Sequence, residues 1–346
     1  MNNNIVQAIS AEKALDFIKI LSPHSEYFFT SRIPEWKKWP IGFYFRGIGD
    51  DNEYKLIPSI FREQNLEILK SYYPLAIDKD QNLEFYVNHI LAEVSLLLEF
   101  MYKIDQNGLS LPGDNVQWRQ TLQLKYEELL KIHEKNNTAN SIITEWPIDA
   151  FIPLMALAQH YGLLTRLLDW TTSSKIAAYF AAKSAIKKLE KNIDGTLSVW
   201  CTSSNLITAF INNFEQYKKG KNPIDVKSAP RESNPNLHAQ DGLFIYKYER
   251  NQKPYDKIEK ISLDEYIVKI MKENRVEWNK PVFYHFTLPW KEAPELLWYL
   301  AKEGINNAKL FPGYEGVVEF MKEEKFFEKE KIEEKVLKNV TEENNN

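Results

Sequence analysis

Residues 159–182 read QHYGLLTRLLDWTTSSKIAAYFAA, and no other segment of the chain sets as much polar and aromatic chemistry among leucines and alanines. Gln159, His160, Tyr161, Thr165, Arg166 and Asp169 are interleaved with Leu163, Leu164, Leu167 and Leu168, a mixture that neither a solvated helix face nor a plain core selects. Polar groups held among apolar ones need partners. Further on, Thr171, Thr172 and Ser173 are good N-cap types, and Ile176 to Ala182 continues as a small-residue, buried-type helix. A helix start presents free N–H groups and the positive end of the dipole, so it suits an anion such as a phosphate. The plainer readings are a simple cap at Thr171 to Ser173 and an i,i+3 pair between Arg166 and Asp169.

Upstream, Gly42 to Arg46 (GFYFR) reads as a buried strand ending in an arginine, which is costly unless an anion or carboxylate meets it. Asp50 and Asp169 are the candidate structural partners. Gly47 to Asn52 is a turn cluster and lacks the Gly-Lys-Ser/Thr ending of a Walker loop. Leu56 to Phe61 then leads to Arg62, placed to join Arg46 in one positive pocket. Residues 64–145 carry helical periodicity, with long amphipathic stretches over Leu83 to Met101 and Val116 to His133. His89 and His133 read there as ordinary helix residues. Near the N-terminus, Ala14, Leu15, Ile18 and Leu21 are spaced for a helix capped by Ser10.

Downstream the pattern predicts a short helix over Met155 to His160 ended by Gly162, then a strand at Leu197 to Cys201 and a helix over Leu206 to Gln216. Lys218 to Pro235 is polar and rich in breakers, a surface loop placed to act as a lid or target-recognition element. Strands follow at Gly242 to Tyr246 and Val282 to Phe286, helices at Ile261 to Lys272 and Leu296 to Glu303, and a turn at Leu310 to Gly316. The Lys/Glu-alternating tail from Lys322 reads as a solvated helix running into a disordered Asn-rich end.

With 346 residues, 44% hydrophobic and 27% charged, the chain has material for one large domain or two modest ones. The formal charge of -4 provides no basic footprint for non-specific nucleic-acid binding. The lone Cys201 has no intramolecular disulfide partner, and no Cys/His spacing suits a metal, so no metal is expected. No apolar run nears the roughly 20 residues of a membrane span and the N-terminus lacks signal-peptide character, so a cytoplasmic location is expected.

Phe43-Tyr44-Phe45-Arg46-Gly47 together with residues 159–182 resembles the FRG domain, a family named for its Phe/Tyr-Arg-Gly motif, whose second signature reads roughly QHYG-x-P-TRLLDWT. Leu164 stands where that signature usually has proline. Leu56-Ile57-Pro58-Ser59 with Arg62, and Asn236 to Phe244, extend the resemblance to about residues 40–320. More weakly, Tyr44 to Gly47 and Trp170 to Ser173 are similar to the first two elements of arginine-serine-glutamate type ADP-ribosyltransferases.

This resemblance implies an α+β fold: a mixed, split β-sheet forming a cleft, with a helical insertion at about 64–145. The implied domain runs over 41–320, after an N-terminal lead-in over 1–40 and before a charged tail over 321–346. It implies NAD as substrate and transfer of ADP-ribose to an unknown protein or nucleic-acid acceptor, in the setting of a bacterial toxin or antiviral system. Arg46, with Gly47, Arg62 and Arg166, would hold phosphate or ribose; Thr171, Thr172 and Ser173 would fix the nicotinamide ribose; His160 and Tyr161 would line the pocket. Where the transferases carry their catalytic glutamate, this chain reads Gln240-Asp241-Gly242. Gln240 can orient a ribose hydroxyl but brings no negative charge, which leaves Asp169, Asp241 or Glu315 to supply it. The alternative is a non-catalytic module that senses a nucleotide or a partner. A nuclease or hydrolase has little support, since no paired carboxylates at metal-binding spacing surround the signature.

Overall fold

The computed structural model describes residues 5–28, 42–52, 55–73, 82–134, 142–189, 194–212, 222–228, 235–278 and 280–327. The strands are β1 (Val6–Ser10), β2 (Phe43–Ile48), β3 (Ile143–Trp146), β4 (Leu168–Thr171), β5 (Thr196–Ser203), β6 (Ile224–Lys227), β7 (Gly242–Lys247), β8 (Glu249–Gln252) and β9 (Phe283–Pro289). The helices are α1 (Ala14–Ile20), α2 (Leu66–Lys70), α3 (Tyr86–Gln106), α4 (Val116–Glu134), α5 (Ile152–His160), α6 (Ser174–Leu189), α7 (Ser204–Ile211), α8 (Pro235–Ala239), α9 (Leu263–Glu273), α10 (Ala293–Lys302), α11 (Asn307–Leu310) and α12 (Tyr314–Glu323).

Seven strands form one mixed sheet in the order β1-β9-β5-β2-β4-β7-β6, parallel only between β1 and β9, while β3 and β8 make a small ribbon of their own. The fold is therefore α+β with a mixed sheet, as the sequence implied. Alternation along the strands divides the apolar side chains between two faces. Val199, Cys201, Phe45 and Phe286 pack on one face against the alanine-rich α6 with α1 and α10. Trp200, Trp170, Leu243, Ile245 and Phe283 pack on the other with residues of α7 and α9. Phe244 and Tyr246, on the reverse of β7, join the core of the block built from α3, α4 and α5.

Two helical layers thus share one face of the sheet, and the seam between them falls over β4. The central strands also part there. β2 pairs with β5 over six residues but with β4 only through Phe45 and Thr171. The glycine of the Phe-Arg-Gly motif sets how closely α6 sits beside this parting. A Cβ on Gly47 would lie 1.9 Å from the Ala177 carbonyl oxygen, so only glycine admits the helix at this distance.

Several local expectations are revised. Ser10 ends β1 and does not cap α1, so the lead-in supplies an edge strand of the main sheet. Tyr314 to Gly316 open α12 instead of forming a turn, and Glu323 near its end is buried beside Tyr179, Lys183 and Asn307. His89 and His133 lie in α3 and α4, as the sequence reading has them; both are buried, and His89 stacks on Phe61 at 5.3 Å. α9 begins with a capping box between Ser262 and Glu265. Lys218 to Lys221, residues 29–41 and the tail beyond residue 327 lie outside the described residues.

Candidate functional site at the strand parting

A cavity of about 510 Å³ opens over the seam, within the size range of ligand pockets. Arg46 and Gly47 from β2, Gln159 and His160 from α5, Asp169, Trp170 and Thr171 from β4, and Gly242 and Leu243 from β7 line it. Ala177 and Phe180 of α6, Asn236 and Leu237 of α8, Gln240 and Phe311 complete the wall. Pairing of Phe45 with Thr171, and of Thr171 with Gly242, sets the three motif strands side by side across the floor.

Strand alternation places Arg46 opposite Trp200, but its guanidinium reaches the gap beside β4 and Nη1 donates to the Asp169 carbonyl at 2.7 Å. The Asp169 Oδ2 lies 3.9 Å from Arg46 Nη1, an ion pair without a hydrogen bond. Burial draws the Arg46 pKa down to about 10; Asp169 opposes that shift and the nearby Arg62 adds to it. The Asp169 side chain is 65% exposed, yet it sits in a concavity whose walls limit its hydration. That desolvation pushes its carboxyl above the ordinary value, against the pull of Arg46 and of the Gln159 amide. Gln159 Nε2 donates to Asp169 Oδ1, and Thr165 Oγ1 donates to Gln159 Oε1. Across the mouth, Asn236 Nδ2 meets His160 Nε2 at 3.2 Å. Gln240 Nε2 donates to the Leu310 carbonyl at 3.1 Å, which ties α8 to the segment carrying Phe311. Two buried donors among the lining residues, Arg46 Nε and Trp170 Nε1, have no partner among the described residues.

Not every residue singled out in the sequence converges here. Arg166 is 2% exposed and lies in the core of the helical block, not in the cleft. Its Nε and Nη2 bond Glu93 of α3, Nη1 bonds Glu249 of β8 at 3.1 Å, and Phe61 and Trp146 stack on it. It also does not pair with Asp169. Two carboxylates bond all three of its nitrogens, so it staples the helical block to the small ribbon. Thr172 and Ser173 line a neighbouring groove with Phe28, Phe43 and Phe45. There Ser173 Oγ accepts from Ile176 N and Thr171 Oγ1 accepts from Ser173 N, so the hydroxyls act as a cap on α6. Only Thr171 of that trio faces the cavity. Tyr161 is 70% exposed, edge-on to His160 and outside the lining. Arg62 donates Nε to the Ile57 carbonyl and contributes field without lining the cavity. Of the three carboxylates considered for the missing charge, Asp169 alone is among the lining residues; Asp241 and Glu315 are not.

Asn236, Leu237, Phe180 and Phe311 were not singled out as site residues in the sequence. Phe180 carried no signal beyond helix packing; Asn236 and Leu237 lie in the segment that extends the family resemblance, and Phe311 in one read as a turn. Among the described residues no group of three His, Cys, Asp or Glu could hold a metal ion, and no helix is long and apolar enough to cross a membrane.

These features define an α+β protein whose sheet parts beneath a ligand-sized cleft that sets a few polar groups among apolar walls. Residues 42–190 match the model of the FRG domain. The matched stretch ends after α6, so Asn236, Gln240, Gly242 and Phe311 of the cleft lie outside it. No curated protein and no solved structure matches the chain.

Proposed function

We propose that the cleft binds NAD and that the protein transfers ADP-ribose from it to a macromolecular acceptor or to water. The observation that carries this reading is the meeting of the Arg46 guanidinium with Thr171 and Gln240 around one cavity walled by Phe180 and Phe311. Arg46 would hold the pyrophosphate or a ribose oxygen; its Nε has no partner among the described residues. Thr171 and Gln240 would orient ribose hydroxyls, and the phenylalanine walls would take the nicotinamide ring. Cleavage at the ribose needs little beyond this positioning and one negative charge near the anomeric carbon. A role in toxin action or antiviral defence belongs to the same proposal. Incubation with NAD should release nicotinamide, and Arg46→Ala should abolish both NAD binding and release.

One observation favours a second reading, a non-catalytic nucleotide sensor. Gln240 holds the place of the expected acid, and its amide is already bonded to the Leu310 carbonyl, as a wall residue would be. Tight NAD binding with no nicotinamide release over hours, and no label passed from radiolabelled NAD to lysate, would establish the sensor instead.

A further inference from the structure

We infer that Asp169 supplies the negative charge at the reacting carbon, and that Gln159 and Thr165 are positioning residues that hold its carboxylate ready. This rests on the NAD reading above. Its geometry is independent of Gln240 and comes from β4, not from the turn between α8 and β7 that carries Gln240.

The guanidinium beside Asp169 bonds the backbone carbonyl and stands 3.9 Å from Oδ2, so it does not clamp the carboxylate in a bidentate pair. One carboxylate oxygen is held and the other is left open. Oδ1 accepts from Gln159 Nε2, whereas the side chain as a whole is 65% exposed in the cleft. The orientation of the Gln159 amide is also determined. Thr165 Oγ1 accepts from Leu167 N, so its single proton is free to go to Gln159 Oε1, which turns the amide N–H groups toward Asp169. Thr165 is itself fully buried and clamped from the upstream motif. Its N–H donates to Ser59 Oγ, Ser59 Oγ donates back to its carbonyl, and Ile60 N donates to the same carbonyl. A chain of donors therefore runs from Ser59 through Thr165 and Gln159 and ends on a carboxylate open to the cavity.

In the step this arrangement serves, the bond from the ribose anomeric carbon to the nicotinamide nitrogen breaks and its electron pair stays on that nitrogen. The pyridinium thereby becomes neutral nicotinamide, and the carbon takes on oxocarbenium character opposite the Asp169 anion. The oxygen of water or of an acceptor then bonds to the carbon and its proton passes to solvent. Burial raises the Asp169 pKa and Gln159 lowers it, so activity should fall as pH drops through that pKa.

Asp169→Asn should bind NAD within about threefold of wild type while nicotinamide release drops by about 100-fold or more. Thr165→Val should move the acid limb of the kcat profile to higher pH, and Thr165→Ser should restore it; Gln159→Leu, at a partly exposed position, should move it the same way even if the buried valine folds poorly. Release by Asp169→Asn within threefold of wild type would overturn the inference and leave the NAD reading standing. An unmoved acid limb in a folded Gln159→Leu variant would remove the positioning role. Failure of the wild type to bind NAD at all would instead remove both the reading and the inference.

Discussion

Arg46 and Arg166 both belong to motif segments rich in apolar residues, but they occupy opposite electrostatic situations. Arg166 lies in the helical block between Glu93 and Glu249, each of its three nitrogens bonded to a carboxylate, and its pKa is raised by those carboxylates over the cost of burial. Among the described residues Arg46 has one hydrogen bond, to a carbonyl, and a buried Nε without a partner, and burial outweighs Asp169 in drawing its pKa down to about 10. A neutralised cation holds elements together, whereas a desolvated and incompletely paired one stores an unmet preference for an anion. The contrast separates structure from candidate chemistry better than motif membership does.

The largest effect expected from breaking this contrast is in the helical block. Arg166→Met should destabilise the fold by about 3–5 kcal/mol in urea unfolding, because Glu93 and Glu249 would be left buried without a counter-charge. A loss below about 1 kcal/mol would mean that the two glutamates find other partners. Lys247 sharpens the same side. It is 4% exposed, donates to the Glu259 and Ile261 carbonyls, and burial among Arg166 and Lys269 brings its pKa down to about 8. Since the folded value lies below the unfolded one, the unfolded chain binds more protons between about pH 8 and the ordinary lysine value of 10.5. Lys247 should therefore add stability as pH rises through that window, on the order of 1–3 kcal/mol, and Lys247→Met should flatten the rise.

On the cleft side, Gly47→Ala should cost about 1–3 kcal/mol by overpacking α6 against β2, read from the same unfolding curves. Its wild-type stability would show that α6 can shift without loss. The smallest stability effect is expected at Arg46 itself. Arg46→Met should change unfolding by no more than about 1 kcal/mol in either direction, since the lost hydrogen bond is offset by relief of desolvation. A loss above about 2 kcal/mol would make Arg46 a structural residue like Arg166 and remove the basis of the contrast.

Local signals in the sequence carried far. The apolar run GFYFR, the small-residue run Ile176 to Ala182 and the breakers at Gly162 and Gly304 each act over a few residues, and the strand, helix and helix ends they imply are present. The hydroxyls at Thr171 to Ser173 announced a helix start for the same reason. Ser10 was misassigned because its role is set by pairing with Thr287, far away in the chain, and not by its neighbours. The helix at Tyr314 is likewise stabilised through Glu323 by contacts with α6 and α11.

By itself, then, the sequence determined most of the local elements and the two motif segments, since propensity, capping and periodicity act on adjacent residues, while the mixed α+β class came from the family resemblance those segments carry. Only the tertiary structure decided which charged side chains compensate one another. Arg46 and Arg166 look alike on the page because burial and counter-charge are properties of space. Glu93 and Glu249 reach Arg166 through packing of α3 and β8, while the parting of β2 from β4 leaves Arg46 facing a cavity.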